Sequence, residues 1–385
     1  MLRPDSYTVS AQQEITPQAR PALAARSLVD LVDAVRARDA AGASALGDAS
    51  TAPLLSHVVD NAAALRVEDF TLRYVDEVGA VRADGSWQAA VDVSWRFEGY
   101  DEVPAREEVL VGFRPVGDQV ALASLGGGDR RTPLWFTGPL EVRRTPESLV
   151  LVSGTGPGAD LISQRAVLAV PTVRRVLPAW EGPLVVEVPG SGDDLDVLLD
   201  ADPGTYADIA AVTATVDGSV TADSPIHVFL NPAVYDLLEP VGAQVVISHE
   251  ATHVATQAPV RSLPVWLLEG FADYVALRDV DLPLSTTAGQ VIAQVQRDGP
   301  PRVLPNQVDF EGTSADLGAA YEAAWLVCTT LVEQAGEEAL VTIYQQVSDG
   351  ADLATALQAS AGLSVAQLTR AWRARLTDLA ARGTG

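Results

Sequence analysis

The feature that most narrows the fold is a strand pattern preceded by helical ones. Trp87, Ala89, Val91, Val93, Trp95 and Phe97 alternate with mostly polar neighbours, and a period of two puts all six side chains on one face of a strand. Val109, Val111 and Phe113 repeat the pattern, so an antiparallel sheet with one buried face is expected here. Such a face needs cover. Ahead of it, Leu28, Leu31, Val32 and Val35 within residues 21–42, and Leu54, Leu55 and Val58 within residues 51–65, recur at helical spacing and predict two helices.

Two helices followed by a curled antiparallel sheet, over residues 21–145, resemble the cystatin-like cone fold in layout. That resemblance implies a spacer or docking unit, since no polar constellation marks a ligand site in this stretch. Residues 1–20 read as a polar tail. The chain has 385 residues, enough for two or three domains. A flexible turn is expected at residues 124–133 (SLGGGDRRTP), and a second unit over residues 146–385, opening on a strand at 148–152. The glycine-rich residues 153–160 (SGTGPGAD) follow that strand. They do not fit a phosphate loop: the spacing is not GxGxxG, Pro157 interrupts it, and the chain has no Lys. Apolar runs at 184–188, 209–216 and 226–230 predict further strands. From residue 241 onward the pattern is helical, with Ser364 and Gln367 at capping-box spacing and Gly336 and Gly350 where helices should stop. The expected fold class is α+β: a helix-plus-antiparallel-sheet unit, then a small mixed sheet joined to a mainly helical lobe.

Charge removes some functions. All 26 basic residues are Arg, against 51 Asp and Glu, for a net charge of -25. A field of that sign repels phosphate backbones and anionic lipid, which disfavours nucleic acid and membrane surfaces as partners. No run of about 18 apolar residues could span a bilayer, and the first residues lack the apolar core of a signal peptide. The chain as written is expected to be soluble, which leaves the compartment open. Cys328, the single cysteine, lies in the apolar stretch 324–331 and reads as a buried, inert thiol.

Residues 249–253 are His-Glu-Ala-Thr-His, and no Gly or Pro interrupts 243–258. On a helix, positions i and i+4 share a face. His249 and His253 can therefore offer two imidazole nitrogens to one zinc ion, with Glu250 beside it as general base. A catalytic zinc needs a third protein ligand. Cys328 stands alone, His57 lies in the N-terminal unit, and His227 falls on a predicted strand, where solvent exposure or a core hydrogen bond suits it better. A carboxylate remains. Residues 263–274 (LPVWLLEGFADY) form an apolar helical stretch opened by Pro264, with Glu269 and Asp273 again at i and i+4. Acidic groups in such a helix are costly unless paired or metal-bound, so one of them is expected as ligand and the other as the partner of a zinc histidine.

HExxH followed by Trp-Leu-x-Glu-Gly-x-Ala-Asp-Tyr resembles the gluzincin metallopeptidases, most closely the bacterial peptidase-MA-like group. The specific motifs cover residues 245–276 and 319–336. The resemblance implies a zinc-dependent peptidase acting on a peptide or protein substrate. His249, His253 and Glu269 would bind one zinc, Glu250 would activate water and Asp273 would orient a histidine. Leu268 stands where thermolysin-like members carry Asn, which argues against that branch. Thr256 and Pro259 replace the metzincin Gly and third His, and Met1 is the only Met, so no Met-turn exists. The resemblance also implies an oxyanion donor from a helix. Tyr321-Glu-Ala-Ala matches the aminopeptidase-like Tyr-Glu-x-Gly stretch except at Ala324, although Tyr321, Ala324, Trp325 and Cys328 equally form a core stripe. Tyr274 and Tyr344 are the next candidates. Residues 209–216 would supply the edge that pairs with an extended peptide. No second carboxylate motif for gripping a free amino terminus is visible, which leans toward endopeptidase action. The competing expectation is a catalytically inactive relative that binds a partner through the same scaffold.

Overall fold

The computed structural model describes residues 17–154, 158–221, 223–311 and 317–382. Residues 155–157 of the glycine-rich stretch, and 1–16 of the expected tail, lie outside the described residues. Among the described residues, three helices come first: α1 (Pro21–Ala37), α2 (Ala40–Ala45) and α3 (Ala52–Leu65). The single helix expected over 21–42 breaks at Arg38, whose backbone is left-handed (φ 56°). Asp39 then starts a new helix by accepting a hydrogen bond from the Gly42 N–H at 2.8 Å.

Four strands follow, β1 (Val67–Val78), β2 (Trp87–Phe97), β3 (Ala105–Val116) and β4 (Gln119–Leu125), antiparallel and in sequential order. Trp87 pairs with Phe113, Ala89 with Val111 and Val91 with Val109, so the two alternating sets share one face. Leu28, Leu31, Leu55 and Val58 close over that face, in one core with Trp87, Trp95 and Phe113.

A second sheet contains β5 (Leu140–Arg144) and β6 (Ser148–Ser153), then β7 (Leu184–Val188), β8 (Ala211–Thr215) and β9 (Ile226–Leu230). Helix α4 (Gly158–Arg174) connects β6 to β7, and α5 (Gly192–Leu198) follows β7. The strand order is β5-β6-β7-β9-β8, with a parallel centre and antiparallel β5 and β8 at the edges. The rest is helical: α6 (Pro232–Tyr235), α7 (Pro240–Ala255), α8 (Val265–Leu277), α9 (Leu284–Thr287), α10 (Gly289–Asp298), α11 (Leu317–Ala335), α12 (Glu337–Ser348), α13 (Leu353–Ala361) and α14 (Val365–Arg382). The chain is α+β. β5 precedes residue 145 yet pairs with β6 beyond it. Leu149, Leu151, Val185 and Phe229 turn toward the N-terminal core, whereas Val150, Val186 and Val228 turn toward the helices. The mixed sheet is therefore a middle layer, and its helical side supports α7. Among the described residues, no helix is long and apolar enough to cross a membrane.

Charge is buried where the two sheets meet. His227 on β9 is 1% exposed and bonds Glu187 of β7 through Nδ1 (2.7 Å) and Asp101 through Nε2 (3.0 Å). Of the two roles left open for His227, the core hydrogen bond is the one found. Burial opposes protonation, but Asp101 and then Glu187 outweigh it and hold the pKa at about 9. Burial also pushes the nearby Glu107 carboxyl up to about 8, with Arg131 acting against the shift and Glu187, Asp217 and Asp200 adding to it.

Both groups bind more protons folded than unfolded, Glu107 from an ordinary 4.5 up to about 8 and His227 from 6.5 up to about 9. Stability is therefore expected to fall as pH rises through these windows, by up to about 1.4 kcal/mol per pH unit for each group. Urea unfolding between about pH 6 and 9 measures the slope. Glu107→Gln should remove the Glu107 share, which spans about pH 4.5 to 8, and leave the His227 share, from about 6.5 to 9, in place; an unchanged slope below about pH 8 would contradict the assignment.

Candidate metal centre

The long uninterrupted run before His249 forms α7 as expected. Ile247 and Ala251 anchor it in the helical core, and His249, Glu250 and His253 are 9%, 7% and 7% exposed. Helix α8 starts after Pro264, as its missing N–H allows, and carries Glu269 and Asp273 toward α7. Its approach to α11 depends on Gly270. A Cβ there would stand 2.4 Å from the Ala324 carbonyl oxygen and 3.0 Å from Cys328 Sγ, so only glycine lets the two backbones come this close. Close packing of α8 on α11 brings Tyr321 over the same cleft, and it buries Cys328 completely, its thiol pushed up well above the usual range by burial.

The five residues assigned from the HExxH and Glu-Gly stretches meet. His253 Nε2 lies 3.0 Å from His249 Nε2 and 3.3 Å from Glu269 Oε2, and His249 Nε2 lies 3.2 Å from that oxygen. Among the described residues, this is the group of three ligand-type side chains whose donor atoms come within 4.8 Å of one another, and it could hold a metal ion. The spacing fits one. A tetrahedral ion with bonds of about 2.0–2.1 Å keeps its donors about 3.3–3.4 Å apart. Asp273 Oδ1 accepts from His249 Nδ1–H at 2.8 Å, which fixes the tautomer and leaves Nε2 free to face the cluster. Removing that acceptor with Asp273→Ala is expected to weaken metal binding by about 10 to 100-fold while leaving the site able to load. Competition with a chromogenic chelator reads this directly; unchanged affinity would separate Asp273 from the centre. His253 differs from His249. Its Nδ1 is buried without a hydrogen-bond partner among the described residues.

Electrostatics favour a cation here. Burial opposes charge on His249, yet Asp273, followed by Glu269 and Glu250, raises its pKa well above 6.5. Burial likewise works against ionised Glu269, but His253 and His249 hold it well below the usual carboxylate range. Three carboxylates around two imidazoles make a negative pocket that a divalent ion would neutralise.

The cleft holds a cavity of about 200 Å³ lined by His249, Glu250, His253 and Glu269, by Ala258 and Pro259, and by edge strand β8. Tyr321 lines it rather than joining the core stripe: its ring stands 6.2 Å from His249 and 5.1 Å from Phe310, while Ala324 and Cys328 are fully buried beneath. Burial pushes the phenol up, and Glu269, Glu250 and Asp273 push it further, so the hydroxyl stays protonated. Tyr274 and Tyr344 are bonded elsewhere, to Glu337 at 2.6 Å and to Thr256 at 3.1 Å. Two neighbours carried no signal in the sequence: Phe310 against Tyr321, and Thr213 of β8, whose hydroxyl donates to Glu250 Oε2 at 2.6 Å. In comparisons with known proteins, no family model and no curated protein matches the chain.

Proposed function

We propose that the chain is a zinc-dependent peptidase of the gluzincin type, cleaving peptide bonds in extended peptides. The observation that carries the reading is the convergence of His249, His253 and Glu269 donors at 3.0–3.3 Å, with Glu250 on the same buried turn and an open cleft in front. Two imidazoles and one carboxylate form a donor set characteristic of catalytic zinc, with one position left for water or substrate. Zinc bound there supplies Lewis acidity to the scissile carbonyl and to the attacking water. Glu250 takes the proton of that water and passes it to the leaving amine. Asp273 keeps His249 in the ligating tautomer. β8, antiparallel and at the sheet edge, offers unpaired backbone groups to a substrate strand.

Tyr321 serves as the donor to the oxyanion. Removing one such donor costs about 100 to 1000-fold in kcat, so Tyr321→Phe is expected to lose that much with zinc content and melting temperature unchanged. A kcat within about three-fold of wild type, set against that cost, would return the residue to packing. The reading as a whole is tested by offering a mixed peptide library to the purified protein with and without a chelator. Cleavage that stops on chelation is expected. A zinc-loaded protein that cleaves nothing would instead favour the inactive, partner-binding relative.

A further inference from the structure

We infer that Thr213 is a positioning residue for Glu250, holding one carboxylate oxygen so that the other faces the attacking water. The inference rests on the peptidase reading above. Alternation along β8 turns Ala211 into the helical core while Val212 and Ala214 pack toward the N-terminal core, so Thr213 shares Ala211's side and meets α7. Its hydroxyl reaches Glu250 twice, at 2.6 Å to Oε2 and 3.2 Å to the main-chain carbonyl. The shorter contact has the length of a charge-assisted O–H···O⁻ bond. Without it, a Glu side chain with three rotatable bonds has no other side-chain donor on its carboxylate among the described residues. The bond occupies Oε2 and leaves Oε1 to accept a proton. It also ties the base to the strand whose free edge faces the cleft. A peptide adding to that edge is thereby placed in register with Glu250 by one residue, which a base anchored only within its own helix would not provide.

Thr213→Val keeps the shape and removes the donor; Thr213→Ser keeps the donor. Hydrogen bonds to charged groups are worth enough that Thr213→Val should lower kcat by about 10 to 100-fold. KM, zinc stoichiometry and zinc affinity should stay within about two-fold, and Thr213→Ser should recover to within about three-fold of wild type. A second readout needs no turnover. In the metal-free protein, urea unfolding of Thr213→Val, Glu250→Met and the double variant should be non-additive by about ten-fold in the unfolding equilibrium constant. Thr213→Val with wild-type kcat, a loss of zinc affinity that accounts for its defect, or an additive cycle would each overturn the assignment. A wild-type protein that cleaves no peptide takes down the peptidase reading and the role of Thr213 with it. An additive cycle in a protein that does cleave takes down Thr213 alone.

Discussion

Glu250→Gln is expected to carry as much zinc as the wild type and to cleave about 10² to 10⁴-fold more slowly. The substitution keeps the length and shape of the side chain, and the amide oxygen can still accept from Thr213, so the loss isolates proton transfer. His249, His253 and Glu269 keep their mutual spacing, because none of those contacts passes through the Glu250 carboxylate. Metal analysis and single-turnover cleavage on the same sample separate the two properties. Activity equal to wild type would mean that the proton goes elsewhere, while a parallel loss of zinc would make Glu250 a ligand.

Glu269→Ala removes more. Its Oε2 is within reach of both imidazoles, and it is the carboxylate of the three-donor group. Two histidines alone leave a catalytic zinc short of a ligand and of charge neutralisation, so most of the metal should be lost and cleavage with it. His249 also loses an acceptor that raises its pKa, which should lower its proton affinity in the metal-free protein. Isothermal titration with zinc reads the first effect, and histidine NMR shifts read the second. Retention of a full zinc equivalent would point to another third ligand.

Much of this centre was legible because helix geometry converts spacing into adjacency. His249 with His253, and Glu269 with Asp273, are pairs at i and i+4, and the absence of breakers from 243 to 258 made the first helix secure. Edge strand β8 lay within the expected run at 209–216. The sheet of the N-terminal unit was legible only where alternation was clean. β1 was not: register shifts at Glu68/Thr71 and Tyr74/Asp76, with Asp69 at φ 54°, break its period, and most of its side chains face solvent. β5 is a short edge strand of half-buried residues, too weakly patterned to register. The partners of His227 lie 40 and 126 residues away in sequence, and no local pattern could announce them. Thr213 is harder still. A threonine in a strand is ordinary, and what distinguishes this one is that β8 crosses α7 at the turn bearing Glu250.

Adding zinc back to chelator-stripped protein while following cleavage of the peptide library tests the proposed zinc-dependent peptidase activity. Cleavage should be absent at the start, rise linearly with added zinc and level off at one equivalent per chain. Protein that takes up no zinc, or that cleaves the library equally well when stripped, would contradict it.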